Sequence, residues 1–409
     1  MHQRIRARVR ELMPRVVEIR RAIHSHPELG GHEQATSDLV ARVLGSAGVP
    51  VTRGIAGTGV VGLIEGRDAG PTIALRADMD ALPIQDQKSV DYASRVSGVM
   101  HACGHDGHTA ALVGTGIILS ELASELSGNV KLIFQPAEEG PGGAKAMIEA
   151  GVLREPDVDV ILGVHVWSQI PVGMVGFSPG PAYAAVDEIR IKVMGNGGHG
   201  AAPHFASDAI TASAQVITAL QQIVSRQVDP VEPAVVTIGT IKGGYTHNVI
   251  ADTVEMTGTV RTFSAHLRAA MPGMITRVAQ GVARALGADA SLEYIQGYPA
   301  AINDPKVTAG MADLAARVFG ENRVVRNVPR CMGGEDFAYF LQQVPGTFIV
   351  IGAGNCERGM AYPHHHPKFD FDEEALAVTM EMLVCAVSHY LGDRAGHGEE
   401  SSAPRLSKV

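Results

Sequence analysis

The run His101-Ala102-Cys103-Gly104-His105-Asp106-Gly107-His108 brings imidazoles, a thiol and a carboxylate together, with glycines that let the backbone turn tightly. Such a cluster serves as a metal-binding loop, as a nucleophilic Cys–His pair, or as a polar loop without chemistry. Carboxylates stand at strand ends elsewhere. Thr72 to Ala77 is β-branched and apolar, reads as a strand, and runs into Asp78-Met79-Asp80. The carboxyl ends of strands are where open α/β sheets place their sites. Asn129 to Phe134 reads as a second strand and ends in Gln135-Pro136-Ala137-Glu138-Glu139-Gly140. Adjacent carboxylates on non-helical backbone point in different directions, so one can bind a metal while its neighbour acts as a base. Asp159 to Val166 reads as a third strand carrying His165 at its end, and His364-His365-His366 adds imidazoles late in the chain. Taken singly, each is as well explained as a solvated turn or a packed histidine. Their combination favours ligands.

The collected donors are Cys103, His105, Glu139, His165 and one of the late histidines. Thiolate, imidazole and carboxylate together suit Zn, Mn, Co or Ni, whereas calcium and magnesium prefer oxygen-only shells. Five or more ligands exceed one closed tetrahedral site, so two divalent ions sharing ligands are expected. Glu138, beside a ligand, is free to serve as general base. His199, on the Gly-rich loop from Gly195 to His204, is a reasonable donor to an oxyanion.

The elements that must position these groups follow from periodicity. Ile5 to Ile23 reads as a surface helix with Pro14 as a kink, and His24-Ser25-His26-Pro27-Glu28-Leu29-Gly30 as a loop of structural or substrate-proximal role. Helices are predicted over 33–47, 109–120, 142–150, 304–319 and 372–390, and strands over 59–65 and 348–352. The stretch from Tyr183 to Ile295 differs in character. Strands over 187–193, 235–241, 254–261 and 291–294, with helices over 207–226 and 265–286, suggest an inserted α+β sandwich. The expected organisation is an α/β catalytic domain, 1–182 with 296–392, built on a central mixed sheet flanked by helices, with an inserted domain at 183–295. The polar tail 393–409 reads as disordered.

The chain has 409 residues, 45% hydrophobic and 19% charged, with net charge −9 and 5% aromatics. A large core is available, and neither the charge nor the aromatic content suits a nucleic-acid partner. Four scattered cysteines (103, 331, 356 and 385) without a CxxC pair fit a reducing cytoplasm. No signal peptide and no apolar run long enough to span a bilayer is expected.

The motifs taken together resemble the aminoacylase-type metallopeptidases, in the amidohydrolase branch that holds hippurate hydrolases and auxin–amino acid conjugate hydrolases. The resemblance rests on HSHPELG (24–30), RADMDALP (76–83), MHACGHDGH (100–108), FQPAEEGPGGA (134–144), GVHVW (163–167), GGHGAAPH (197–204), NVIAD (248–252), GTVRTF (258–263), GGEDFAYF (333–340) and HHHPKFDFDE (364–373). It implies metal-dependent hydrolysis of the amide of N-acyl amino acids by metal-activated water, with Glu138 as base. It implies two metals held by Cys103, His105, Glu139 and His165, with the late ligand of a His-x-Pro step falling on His365 between His364 and His366. His199 would reach the substrate, in some relatives across a dimer interface. Asn248, Arg261 and Gly334 would bind it, and the inserted domain would act as lid and dimerisation surface in a homodimer or a dimer of dimers. Distant relatives carry His-x-Asp where this chain has Asp78-Met79-Asp80. That puts Asp78 in doubt as a ligand and leaves Asp80 to orient one. The alternatives are a short-peptide hydrolase of the same fold, a thiol hydrolase using Cys103, and a non-catalytic binding protein.

Overall fold

The computed structural model describes residues 1–140 and 142–392, and the tail expected to be disordered lies outside them. The chain divides into two compact units, Met1–Gly180 with Ile302–Pro329 and Tyr339 onward, and Pro181–Ala301 with Arg330–Ala338. The expected insertion, 183–295, is shorter than the second unit at both ends. It also omits the Gly-rich acidic turn at 333–337, which the sequence reading gave to the catalytic domain. That turn returns by a hydrogen-bonded step, Ala184 N–H to the carbonyls of Cys331 and Gly333, which no local periodicity announces.

In the first unit, four parallel strands form the centre of an eight-stranded mixed sheet. We call them β1 (Asp68–Asp78), β2 (Ser127–Gln135), β3 (Val160–Pro171) and β4 (Gly346–Gly354). Their order is β2-β1-β3-β4. Gly59–Glu65 and Val51–Ile55 extend the β2 side antiparallel; the second of these the sequence reading missed. Ile73 to Asp78 and all of β4 are buried, the near-continuous run of a strand covered on both faces.

Helix His2–Ser25 is continuous through Pro14 and buries Ile5, Val9, Leu12, Val16, Ile19 and Ile23 at helical spacing. Helix His105–Glu121 has no polar face, and His105 to Leu119 are all buried. It starts four residues before the predicted 109. Gly104, at φ 92°, turns the chain into it and makes His105 its first residue. Helix Glu374–Leu391 is long and apolar enough to cross a membrane, which the sequence reading did not expect. Met380, Leu383, Val384 and Val387 place it in the core of this unit.

Asp86 ties down the loop between β1 and the histidine-rich run. Its side chain is 1% exposed and lies 3.5 Å from the His24 ring. Burial alone would raise its pKa. The His24 ring and the N–H groups of Ser94 and Lys88 outweigh burial and bring it from 3.8 down to about 2. A carboxyl depressed on folding contributes stability that is present above the unfolded pKa and is lost as pH falls through the folded one. The contribution is about 2 kcal/mol, present above about pH 4 and gone near pH 2. Urea midpoints taken from pH 6 downward should therefore fall less steeply for Asp86→Asn than for the wild type. Parallel curves would remove Asp86 from the acid transition.

The second unit is an antiparallel sheet in the order Ala234–Gly243, Thr253–Thr262, Ala185–Met194, Asp289–Gln296. Ile189, Ile191 and Val193 face inward between outward Arg190 and Lys192. Helices Ala209–Gln222 and Ala265–Ala285 cover that face with Ala212, Val216, Leu220, Met271 and Ile275.

Candidate metal and active site

His165 from within β3, which runs on to Pro171 and so does not end at this residue as expected, Glu138 and Glu139 from just past β2, His105 from the start of its helix, and Cys103 and His365 from loops meet in the first unit. The donor atoms of Cys103, His105 and His165 lie within 4.8 Å of one another. So do those of Cys103, Glu139 and His365, and those of His105, Glu138 and Glu139. Cys103 Sγ is 3.5 Å from His165 Nε2, and His365 Nε2 is 3.0 Å from Glu139 Oε1. Shared members join the triples into one centre.

The tautomers follow from acceptors that can only accept. His105 Nδ1 donates to the Asp80 carbonyl at 2.9 Å, so its Nε2 is the ring atom left to meet a cation; that atom is buried and has no hydrogen-bond partner. His165 Nδ1 donates to the Val166 carbonyl at 2.7 Å, leaving its Nε2 lone pair toward Cys103. Buried imidazole nitrogens aimed at a thiol and carboxylates are the surroundings of a cation, and this donor set fits two divalent ions.

Asp80 organises the carboxylate side. Its Oδ1 accepts the Glu138 N–H at 3.0 Å and its Oδ2 the Glu139 N–H at 2.9 Å, and Oδ1 lies 3.3 Å from His105 Nδ1. One buried carboxylate thus fixes both the His105 ring and the backbone of the Glu-Glu step. The Val166 peptide is gripped on both sides. Its N–H donates to His108 Nε2 at 2.9 Å, and its carbonyl also accepts from His364 Nε2 at 2.9 Å. His108 Nδ1 donates to Asp78 at 2.6 Å, and Arg76 pairs with the other Asp78 oxygen at 2.6 Å.

The electrostatics demand positive charge. Burial pushes the Cys103 thiol well up, and Glu139, Glu138 and Asp78 push it further. Burial opposes a charged His105, but Asp78, Asp80 and Glu139 win and lift it to about 10. A cation held by these residues would take the place of that proton and favour the thiolate. The same field argues against Cys103 as a free nucleophile, which would need a lowered pKa.

Asp80, Cys103, His105, Glu138, Glu139, His165 and His365 therefore stand together. Of the three late histidines, His365 reaches Glu139, His364 is spent on the Val166 carbonyl, and His366 stacks on Tyr362. His199, Asn248, Arg261 and Gly334 lie in the second unit. There His199 pairs with Val249 in a short ribbon, and Gly200 N–H donates to the Asn248 carbonyl, so His199 and Asn248 are neighbours. Arg261 pairs in register with Val186, and a Cβ on Gly334 would meet Val186 Cγ2 at 2.3 Å. Sequence reasoning gave no role to His108 or Arg76. His108 stood in the quoted run and Arg76 two places before Asp78, but their partners are set by the fold.

The sequence profile of peptidase family M20/M25/M40 matches residues 74–389. The chain is 46% identical over 376 residues to YhaA of Bacillus subtilis, covering 92% of this chain and 94% of that one. It is 41% identical over 378 residues to thermostable carboxypeptidase 1 of Saccharolobus solfataricus, covering 91% and 95%. It is 41% identical over 372 residues to an N-acetylcysteine deacetylase of Bacillus subtilis, covering 90% and 94%. The crystal structure of Bacillus subtilis YxeP, described as a dinuclear metal-binding peptidase from the M20 family, superposes with TM-score 0.82 at 38% identity, covering 93% of this chain and 99% of that one. With this coverage and a donor set suited to two divalent ions, the chain belongs to peptidase family M20/M25/M40 and is a metal-dependent amidohydrolase.

Proposed function

We propose that the protein hydrolyses the amide of an N-acyl amino acid to a carboxylic acid and a free amino acid. The observation that carries this reading is the pairing of Glu138 with the ligand-like Glu139, both hung from Asp80 beside His105 and Cys103. The N-acetylcysteine deacetylase is a relative whose name states such a reaction. Cys103, His105, Glu139, His165 and His365 are the proposed ligands, and their chemistry selects Zn, Mn, Co or Ni. Two such ions supply Lewis acidity, lowering the pKa of a water and polarising the scissile carbonyl. Glu138 takes a proton from the attacking water as the C–O bond forms, and returns it to the amine nitrogen as the C–N bond breaks. Asp80 keeps His105 and Glu138 in place. His199 is assigned the oxyanion, Asn248 and Arg261 the substrate's carbonyl and carboxylate, and Gly334 a place where backbone approaches closely. We further infer a homodimer or dimer of dimers built through the second unit, and a cytoplasmic location, which the four free cysteines support.

Short peptides present the same bond, and the carboxypeptidase and peptidase names among the similar proteins keep them as the second reading. One assay separates the two. The protein is stripped with a chelator, reloaded separately with Zn, Mn, Co and Ni, and tested on N-acetyl and N-benzoyl amino acids beside dipeptides. Activity should vanish on stripping, return with one or more ions, and favour the N-acyl substrates. Activity indifferent to stripping would overturn the metal reading, and turnover confined to dipeptides would select the peptidase.

A further inference from the structure

The segment from Glu28 to Glu33, which closes the His-Ser-His-Pro-Glu-Leu-Gly run and continues past it, supplies none of the proposed ligands, yet it lies against Asp80–Ala81 and the Glu-Glu loop. The Ala81 N–H donates to the Glu28 carbonyl at 2.8 Å, and Leu29 bridges Ala81, next to Asp80. A Cβ on Gly30 would come within 3.1 Å of Ala137 Cα and 3.3 Å of Asp80 Oδ2, so glycine permits this approach. Three residues on, Glu33 is fully buried. Its Oε1 accepts the N–H of Ala137 at 2.8 Å and of Gly31 at 3.0 Å, and its Oε2 accepts the Thr58 hydroxyl at 2.6 Å.

Ala137 is the residue before the Glu-Glu step, and it sits at φ 55°, a left-handed conformation that a side chain disfavours. Consecutive N–H groups at 137, 138 and 139 thus end on buried carboxylates, the first on Glu33 and the others on Asp80. Asp80 fixes the two peptides that carry Glu138 and Glu139. It does not fix residue 137, whose unfavourable turn sets the direction in which both side chains leave the backbone.

We propose that Glu33 is a positioning residue for the base carboxylate: its hydrogen bond to the Ala137 N–H holds the left-handed turn from which Glu138 and Glu139 are aimed. This rests on the reading of Glu138 as the base. Without that acceptor the N–H is buried and unsatisfied, Ala137 relaxes toward ordinary backbone, and the working orientation becomes one of several. The role calls for an acceptor at Oε1 and not for charge. In Glu33→Gln the amide oxygen can keep both backbone N–H groups, and the Thr58 hydroxyl can turn to accept from the new amide.

The test compares Glu33→Ala, Glu33→Gln and the double variant Glu33→Ala/Ala137→Gly. It reads kcat, KM and metal content, together with hydrogen–deuterium exchange of a peptide covering 134–140 in metal-free protein. Glu33→Ala should lower kcat by about 10–100-fold with KM within about two-fold. Glu33→Gln should stay within about three-fold of the wild type. Glycine at 137 should restore about five-fold of the loss, because it removes the conformational penalty the missing bond had offset. Exchange of the peptide should rise in Glu33→Ala and return in Glu33→Gln. A folded Glu33→Ala with wild-type kcat and exchange would overturn the proposal, as would a loss that Glu33→Gln shares in full and Ala137→Gly does not relieve. If Glu33→Ala does not fold, Thr58→Val loosens Oε2 alone; it should cost about three-fold in kcat, again relieved by Ala137→Gly, and absence of relief there counts against the idea. Wild-type turnover by Glu138→Gln would sink the base reading instead, and the exchange result would still decide whether Glu33 holds the turn.

Discussion

Replacing Glu138 by Gln is expected to lower kcat by about 10²–10⁴-fold, the usual worth of a general base, while both ions stay bound. The amide keeps the size and polarity of the carboxylate but takes no proton at neutral pH. The ligand-like Glu139 is untouched, and the N–H groups of 138 and 139 remain on Asp80. Metal content per chain separates this from a ligand role: a ligand change removes an ion, whereas a base change leaves stoichiometry intact. Glu138→Gln with kcat within about tenfold of the wild type would remove Glu138 from proton transfer.

Arg20→Met is expected to cost about 3–5 kcal/mol of folding stability, a large share of what a domain has. Arg20 is fully buried and donates to Asp106, Asp370 and Glu373, with its guanidinium 4.1 Å over the Phe371 ring. Burial lowers its pKa, but Asp370 and Asp106 more than reverse this, so the group stays charged. Methionine fills much of the volume and supplies none of the charge. His24 still donates to Asp106 and Tyr92 to Asp370, yet two buried carboxylates then lack their main counter-ion. Urea denaturation should show the loss, and Arg20→Met/Asp106→Asn should be less destabilised than the two single losses added together. Strict additivity would mean that the two groups are not energetically coupled.

What the sequence made legible was chemistry attached to local pattern. Cys103 and His105 stand in a short Cys/His run at the start of a helix, Glu139 just past a β-branched strand and His165 within another. The sandwich of the second unit announced itself by alternation, as in Ile189 to Val193. The rest depended on distance along the chain. Arg20 reads as one more arginine on an Arg-rich helix until Asp370 and Glu373 are brought to it. Glu33 reads as a helix start, and its carboxylate turns instead to residue 137, more than a hundred positions away. Val51–Ile55 carries no clear strand signal in the sequence because Thr52 and Arg53 leave it half-polar, as an edge strand can be. Helix His105–Glu121 begins ahead of its apolar pattern because periodicity cannot see a turn begun by a left-handed glycine.

The order of the strands also bears on how the chain is made. β3 has its parallel partner β4 only after the whole second unit has been synthesised, since Phe348 pairs with Gly163. Asp370 reaches Arg20 across 350 positions, and His365 comes from the same late stretch. A nascent chain that stops before β4 therefore holds an open sheet edge, an Arg20 that has Asp106 but not yet Asp370 or Glu373, and a proposed ion site still lacking His365. The second unit draws its sheet and helices from one continuous stretch and can close early. Such non-local pairing slows folding and leaves β3 open to the wrong partner while it waits. The stretch from β4 to Asp370 thus closes the sheet and brings His365 to the proposed ion site, so chains that stop before it should be removed by aggregation or proteolysis and not accumulate as partly active enzyme.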